Sequence, residues 1–111
     1  MSLKAGTEAA FQQQLVQLAG CYGWDLVYHT HDSRRSQPGF PDLVLARPPE
    51  ILFVEVKTQT GRVRPEQSRW IQALTECGLD ARIVRPADFD DFHARLARGR
   101  HQLEPLYRDA A

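Results

Sequence analysis

Two short aliphatic runs, Leu43-Val44-Leu45-Ala46 and Ile51-Leu52-Phe53-Val54, are separated only by Arg47-Pro48-Pro49-Glu50. A run too short for a helix, bounded by a proline-rich turn, reads as a strand, and two such runs in tandem read as a β-hairpin. Side chains alternate along a strand, so Ile51, Phe53, Glu55 and Lys57 share one face while Leu52, Val54 and Val56 take the other. Asp42, at the start of the first strand, then faces Glu55 at the end of the second. Ionised groups at the rim of a buried sheet cost free energy unless they are paired or bound to a cation, so this cluster calls for a partner.

The rest of the chain supplies the elements around that hairpin. Thr7 to Ala19 carries Phe11, Leu15 and Leu18 at helical spacing, with Gly20 and Gly23 near its end, and reads as a first helix. Leu26-Val27-Tyr28 is a short strand, and His29 to Pro38 is polar and without period, a loop. After the hairpin comes a loop around Gly61. Pro65 to Cys77 is then a second helix, with Trp70, Ile71 and Leu74 on one side and Gly78 at its end. Ala81-Arg82-Ile83-Val84 is a fourth strand, and Pro86 opens a third helix with Phe89, Phe92 and Leu96 as its apolar stripe. The order is helix, three strands, helix, strand, helix, an α/β class with a mixed central sheet of about four strands flanked by helices. The strand-helix-strand connection from Glu55 to Val84 is expected to be a parallel, right-handed crossover.

With 111 residues the chain is expected to form one domain over residues 1–98, followed by a polar tail over 99–111 that offers Leu103, Leu106 and Tyr107 to a partner. Fourteen Lys and Arg balance fourteen Asp and Glu, which excludes a protein that coats nucleic acid through bulk positive charge. Local clusters remain: Arg34 and Arg35 precede the hairpin, Arg62 and Arg64 follow it, and His29 and His31 lie close by. Together they read as a phosphate-contacting groove. Cys21 and Cys77 lack any second Cys or His at zinc-ligand spacing, and are expected to be buried free thiols. Trp24 and Trp70 are expected in the core or at an interface. With no leader or membrane-length apolar run, the protein is expected in the cytoplasm of a bacterium or of a phage-infected host.

Two facing carboxylates suit a hard divalent cation such as Mg²⁺, or Mn²⁺ in its place, which takes one or two carboxylates and completes its shell with water and phosphate oxygens. Asp42 and Glu55 are the expected ligands, and Lys57 beside them is placed to orient water and stabilise charge developing on a phosphate. Pro41-Asp42, twelve intervening residues and Glu55-Val56-Lys57 resemble the PD-(D/E)XK nuclease signature. More closely, the chain is similar to the VRR-NUC branch of that superfamily. The likeness rests on Glu8 in the first helix, the Gly39-Phe40-Pro41-Asp42 turn, the Glu55-Val56-Lys57 strand end and Gln67 in the first turn of the second helix, and it spans roughly residues 7 to 93.

This resemblance implies a restriction-endonuclease-like core and a Mg²⁺- or Mn²⁺-dependent endodeoxyribonuclease with Asp42, Glu55, Lys57, Glu8 and Gln67 as its catalytic set. It also implies the backbone carbonyl of Val56 as a third metal ligand, and a homodimer cutting branched DNA such as Holliday junctions. In the family the residue at the place of Glu8 positions water or a second metal; as a plain sequence feature it is also a favourable acid in a first helical turn. A DNA-branch-binding module that hardly cuts is the alternative on the same fold, and a structural protein with an internal Glu55–Lys57 salt bridge is a third reading.

Overall fold

A computed structural model of the chain describes residues 6–31 and 35–99. The elements run α1 (Glu8–Cys21), β1 (Leu26–His29), β2 (Leu43–Arg47), β3 (Glu50–Val56), α2 (Pro65–Glu76), β4 (Asp80–Val84), a short 3-10 turn (Pro86–Asp88) and α3 (Phe89–Ala97). The four strands form one sheet in the order β1-β2-β3-β4, antiparallel across the first two junctions and parallel across the last. The expected α/β class, element order and parallel β3-to-β4 crossover are therefore observed. Differences are confined to element ends. Thr7 caps α1, its hydroxyl accepting the Ala10 N–H at 3.1 Å, and a separate 3-10 turn, not the first turn of α3, follows Pro86.

Register explains how the sheet divides its two faces. Leu43 pairs with Val54 and Leu45 with Leu52, and these side chains are buried together with Val56 and Val84 against Phe11, Leu15 and Ala19 of α1 and Phe92 and Leu96 of α3. Each such side chain contributes about 1.5–3 kcal/mol of transfer free energy. The opposite face carries Val44, Ala46, Ile51, Phe53 and Glu55, and α2 crosses it beside β3 and β4. Over β1 and β2 that face is left open, with Leu26 64% and Tyr28 61% exposed.

The end of the sheet far from Asp42 and Glu55 is closed by a buried charged network. Arg47 is buried and donates to the carbonyls of Tyr22 and Leu96, each at 3.0 Å, to the Arg98 carbonyl at 2.6 Å and to Glu50 at 3.2 Å. Arg95 bonds Glu50 at 2.8 Å and Asp80 at 2.7 Å. Burial raises the Asp80 pKa, but the hydrogen bonds from Arg95 and Arg82 outweigh it and hold the carboxyl below its ordinary value. Both guanidiniums lie over the buried Trp24 ring, at 4.4 and 5.5 Å from its centroid, and the Trp24 indole N–H donates to the Leu96 carbonyl at 2.9 Å. The carbonyls left free at the end of α3 are thus satisfied by side chains of the sheet and of the loop after α1. Cys21 and Cys77 are exposed free thiols, which corrects the expectation that they are buried: both fall at helix ends on the solvent side.

Removing the Arg47 guanidinium leaves three carbonyls and Glu50 short of a partner, so Arg47→Ala is expected to cost about 3–5 kcal/mol in urea unfolding. A loss below about 0.5 kcal/mol would contradict the anchoring of α3 by this residue.

Candidate active site

Asp42 enters the site on the turn that opens β2, and Glu55 and Lys57 enter it at the end of β3. The Asp42 carboxylate accepts the Val56 N–H at 2.8 Å, which fixes the acid against the backbone between Glu55 and Lys57. The N–H and carbonyl of one strand residue point to the same side, so the Val56 carbonyl faces the Asp42 side as well. Glu55 is 1% exposed, and only one of its carboxylate oxygens is partnered. Its Oε2 accepts the Gln67 side-chain N–H at 2.9 Å and lies 3.6 Å from the Lys57 ammonium, while its Oε1 is buried without any partner. Burial and then the negative charge of Asp42 push the Glu55 pKa from 4.5 up to about 8, against the opposing pull of Lys57. Lys57 thus stands at the ion-pairing distance foreseen by the structural reading, yet this leaves half the carboxyl group unsatisfied.

Gln67 is held so that its amide has one orientation. Its Oε1 accepts the Arg64 N–H at 2.9 Å in the first turn of α2, which leaves its N–H for Glu55. Gly39 brings that turn close: with φ at 97°, a Cβ there would meet the Glu66 carbonyl oxygen at 2.4 Å. Only glycine fits both the left-handed backbone and the approach. Glu8 is exposed on the first turn of α1. Partial burial of its carboxyl and the charge of Asp42 raise its pKa, with Lys57 opposing, so it lies within electrostatic reach of the cluster. Glu8, Lys57, Arg62, Arg64 and Glu66 line one open cleft of about 530 Å³.

Sequence reasoning missed Gly39 as a packing residue and missed Arg85 altogether. Arg85 donates to the carbonyls of Thr58 at 2.8 Å, Gln59 at 3.2 Å and Gly61 at 2.8 Å, pinning the loop that leads from Lys57 to Arg62. Its one sequence signal is its place directly after β4, whose last residue pairs with Val56. His29 and His31 lie elsewhere: the Gln12 amide donates to His29 Nδ1 at 3.2 Å, and the two imidazoles stack with centroids 5.9 Å apart. His31 borders a neighbouring cleft, Arg35 is exposed, and Arg34 falls outside the described residues. The eight remaining expected site residues, Glu8, Asp42, Glu55, Val56, Lys57, Arg62, Arg64 and Gln67, come together.

The donor set tests which cation such a site fits. Among the described residues no three His, Cys, Asp or Glu side chains gather as a metal-holding group, which argues against a structural zinc site of four protein ligands. Two carboxylates, one with a buried oxygen awaiting a partner, and an adjacent strand carbonyl fit an oxygen-seeking Mg²⁺ or Mn²⁺ that keeps part of its water shell.

No curated protein matches the chain significantly. Among solved structures, one described as a VRR_NUC domain protein superimposes with a TM-score of 0.51 at 17% sequence identity, covering 76% of this chain and 88% of its own, a likeness of fold. The family model of the VRR-NUC domain matches residues 4–88, from ahead of α1 to the turn before α3. The chain, with a mixed four-stranded sheet and two acids and a lysine gathered at one end of it, belongs to the VRR-NUC domain family, a nuclease-type family.

Proposed function

We propose that this protein is a Mg²⁺- or Mn²⁺-dependent endodeoxyribonuclease that hydrolyses phosphodiester bonds in branched DNA, Holliday junctions among them, as a homodimer. The observation that carries the reading is the buried Glu55 Oε1 with no partner beside Asp42, a place where a protein without a ligand to bind gains nothing. Asp42, Glu55 and the Val56 carbonyl would hold the cation. When bound, it supplies Lewis-acid stabilisation to the phosphate oxygens as charge develops.

The chain's own residues do the rest. Asp42 is pre-set by the Val56 N–H and Glu55 by Gln67, so neither has to reorganise when the substrate arrives. Lys57 places its ammonium beside Glu55, where it orients the attacking water and offsets the charge of the transition state. The water oxygen bonds to phosphorus as the bond to the 3′ oxygen breaks, and water provides the protons, leaving a 5′-phosphate and a 3′-hydroxyl. Glu8 lies near enough to position that water. Arg62 and Arg64, across the open cleft, contact flanking phosphates, which reconciles phosphate binding with a formal net charge of zero. The catalytic unit runs over residues 1–98, because α3, beyond the family match, is tied to the sheet by Arg47, Trp24 and Arg95. A twofold partner fits the exposed apolar residues at the far end of the sheet, Leu26, Ile51 and Leu79.

With Mg²⁺ or Mn²⁺ the purified protein is expected to nick a labelled four-way junction, and Asp42→Ala or Lys57→Ala to slow this by at least about 100-fold. Unchanged cleavage in either variant contradicts the assignment, and junction binding without cleavage by the wild type favours the binding module. The raised Glu55 pKa also predicts a pH dependence of stability. In metal-free buffer the unfolded chain ionises Glu55 above about pH 4.5 while the fold keeps it protonated up to about pH 8, so its contribution is complete below the first value and is lost as pH rises through the second. Thermal unfolding of wild type and Glu55→Gln is therefore expected to diverge between pH 5 and 8, the variant becoming the more stable by a few degrees. Mg²⁺ is expected to close the gap in favour of the wild type. Parallel profiles would show that Glu55 does not hold its proton in the fold.

A further inference from the structure

The acids and an aromatic cleft share one face of the sheet. Asp42 and Val44 are successive same-face positions, as are Glu55 and Phe53, so one two-residue step, roughly 6.6 Å, separates the acid row from the next. That next row is Tyr28, Val44 and Phe53, set side by side by the register. Phe40, two residues before Asp42, meets Phe53 edge-on with centroids 6.1 Å apart and Trp70 edge-on at 5.0 Å. The Trp70 indole N–H donates to the Pro38 carbonyl at 3.0 Å, which fixes the ring over the turn. Thr30 donates its hydroxyl to the Pro41 carbonyl at 2.7 Å, and its N–H to the Asp42 carbonyl at 2.9 Å, joining the cleft's other side to the same turn. Tyr28, Thr30, His31, Gln37, Phe40 and Trp70 enclose a cleft of about 520 Å³.

Core packing does not account for this arrangement. Tyr28 leaves 61% of its surface exposed while its neighbours in the row are half-buried. Among the described residues the cleft has no acid in its lining, though acids stand one row away. An uncharged aromatic floor with an amide and an imidazole at its rim matches a nucleobase, which has a π-face for stacking and a polar edge for hydrogen bonds. The row of Tyr28 is one two-residue step along the strands from the row of Asp42 and Glu55. We infer that this cleft receives an unpaired nucleobase of the DNA next to the scissile phosphodiester, stacked on Tyr28 with its edge toward Gln37 and His31. The inference rests on the nuclease reading and gives branch selectivity a physical source. A base inside a duplex must first be unstacked and unpaired to enter, at a cost of a few kcal/mol, whereas a base at a branch is already free.

The test uses a forked duplex whose first unpaired nucleotide is 2-aminopurine, a fully paired duplex of the same length, and the whole protein. Binding of the fork to wild type is expected to quench the 2-aminopurine fluorescence. Tyr28→Ala, an exposed position whose melting temperature is checked first, is expected to abolish the quenching and weaken fork binding about ten-fold. Its affinity for the paired duplex is expected to stay unchanged, and Tyr28→Phe to restore both the quenching and the fork affinity. Absence of quenching in the wild type, or equal loss on both DNAs in Tyr28→Ala, overturns the assignment. Cleavage without quenching overturns the cleft alone, and quenching without cleavage under Mg²⁺ or Mn²⁺ supports the cleft while overturning the nuclease reading.

Discussion

A carboxylate that is nearly removed from solvent yet left with one oxygen unpaired is the constraint around which the rest of this molecule is arranged. Burying Glu55 at the end of β3 costs free energy, and the surrounding groups recover only part of it. Gln67 and Lys57 serve one oxygen. Asp42 adds a second negative charge, so the pair repels until a proton or a cation joins it. Nothing in the packing requires two acids here, since apolar residues would fill the space more stably. The acids make physical sense as one half of a binding equilibrium.

Keeping such a site open demands rigidity elsewhere, and the two ends of the sheet divide that work. At the far end, Arg47, Arg95, Glu50 and Asp80 with Trp24 lock α3 against the strands. At the near end the supports act on or through the backbone. Gly39 seats the first turn of α2, the Arg64 N–H orients Gln67, and Arg85 holds the loop behind Lys57 by three carbonyls. These supports set the positions of groups that would meet substrate, and none of them belongs to the acid cluster itself.

Much of this was legible in the sequence where the signal is local. The period of two in 43–46 and 51–57 specified the hairpin, its faces and the meeting of Asp42 with Glu55. The proline at the start of α2 placed Gln67 in a first turn. Glu8 and the Val56 carbonyl came from family likeness, which supplied what spacing alone does not. Long-range features escaped for a physical reason. Arg47 and Arg95 are ordinary cations until folding sets them over Trp24, and Arg85 reaches a loop more than twenty residues earlier in the chain. Cys21 and Cys77 are exposed because at a helix end orientation, and not apolar type, decides burial. Tyr28 looked like an ordinary strand residue. Its exposure depends on how little of the sheet α2 covers, a tertiary fact with no local signature.

The claim that Glu55 and Asp42 await a cation is tested most directly by diffraction from a crystal soaked in Mn²⁺, with anomalous data collected to locate the metal. The account predicts a peak bridging the Asp42 and Glu55 carboxylates, with the Val56 carbonyl in the same shell and Gln67 still bonded to the other Glu55 oxygen. An occupied Mn²⁺ site elsewhere, with the two acids unchanged and free of metal, would contradict it.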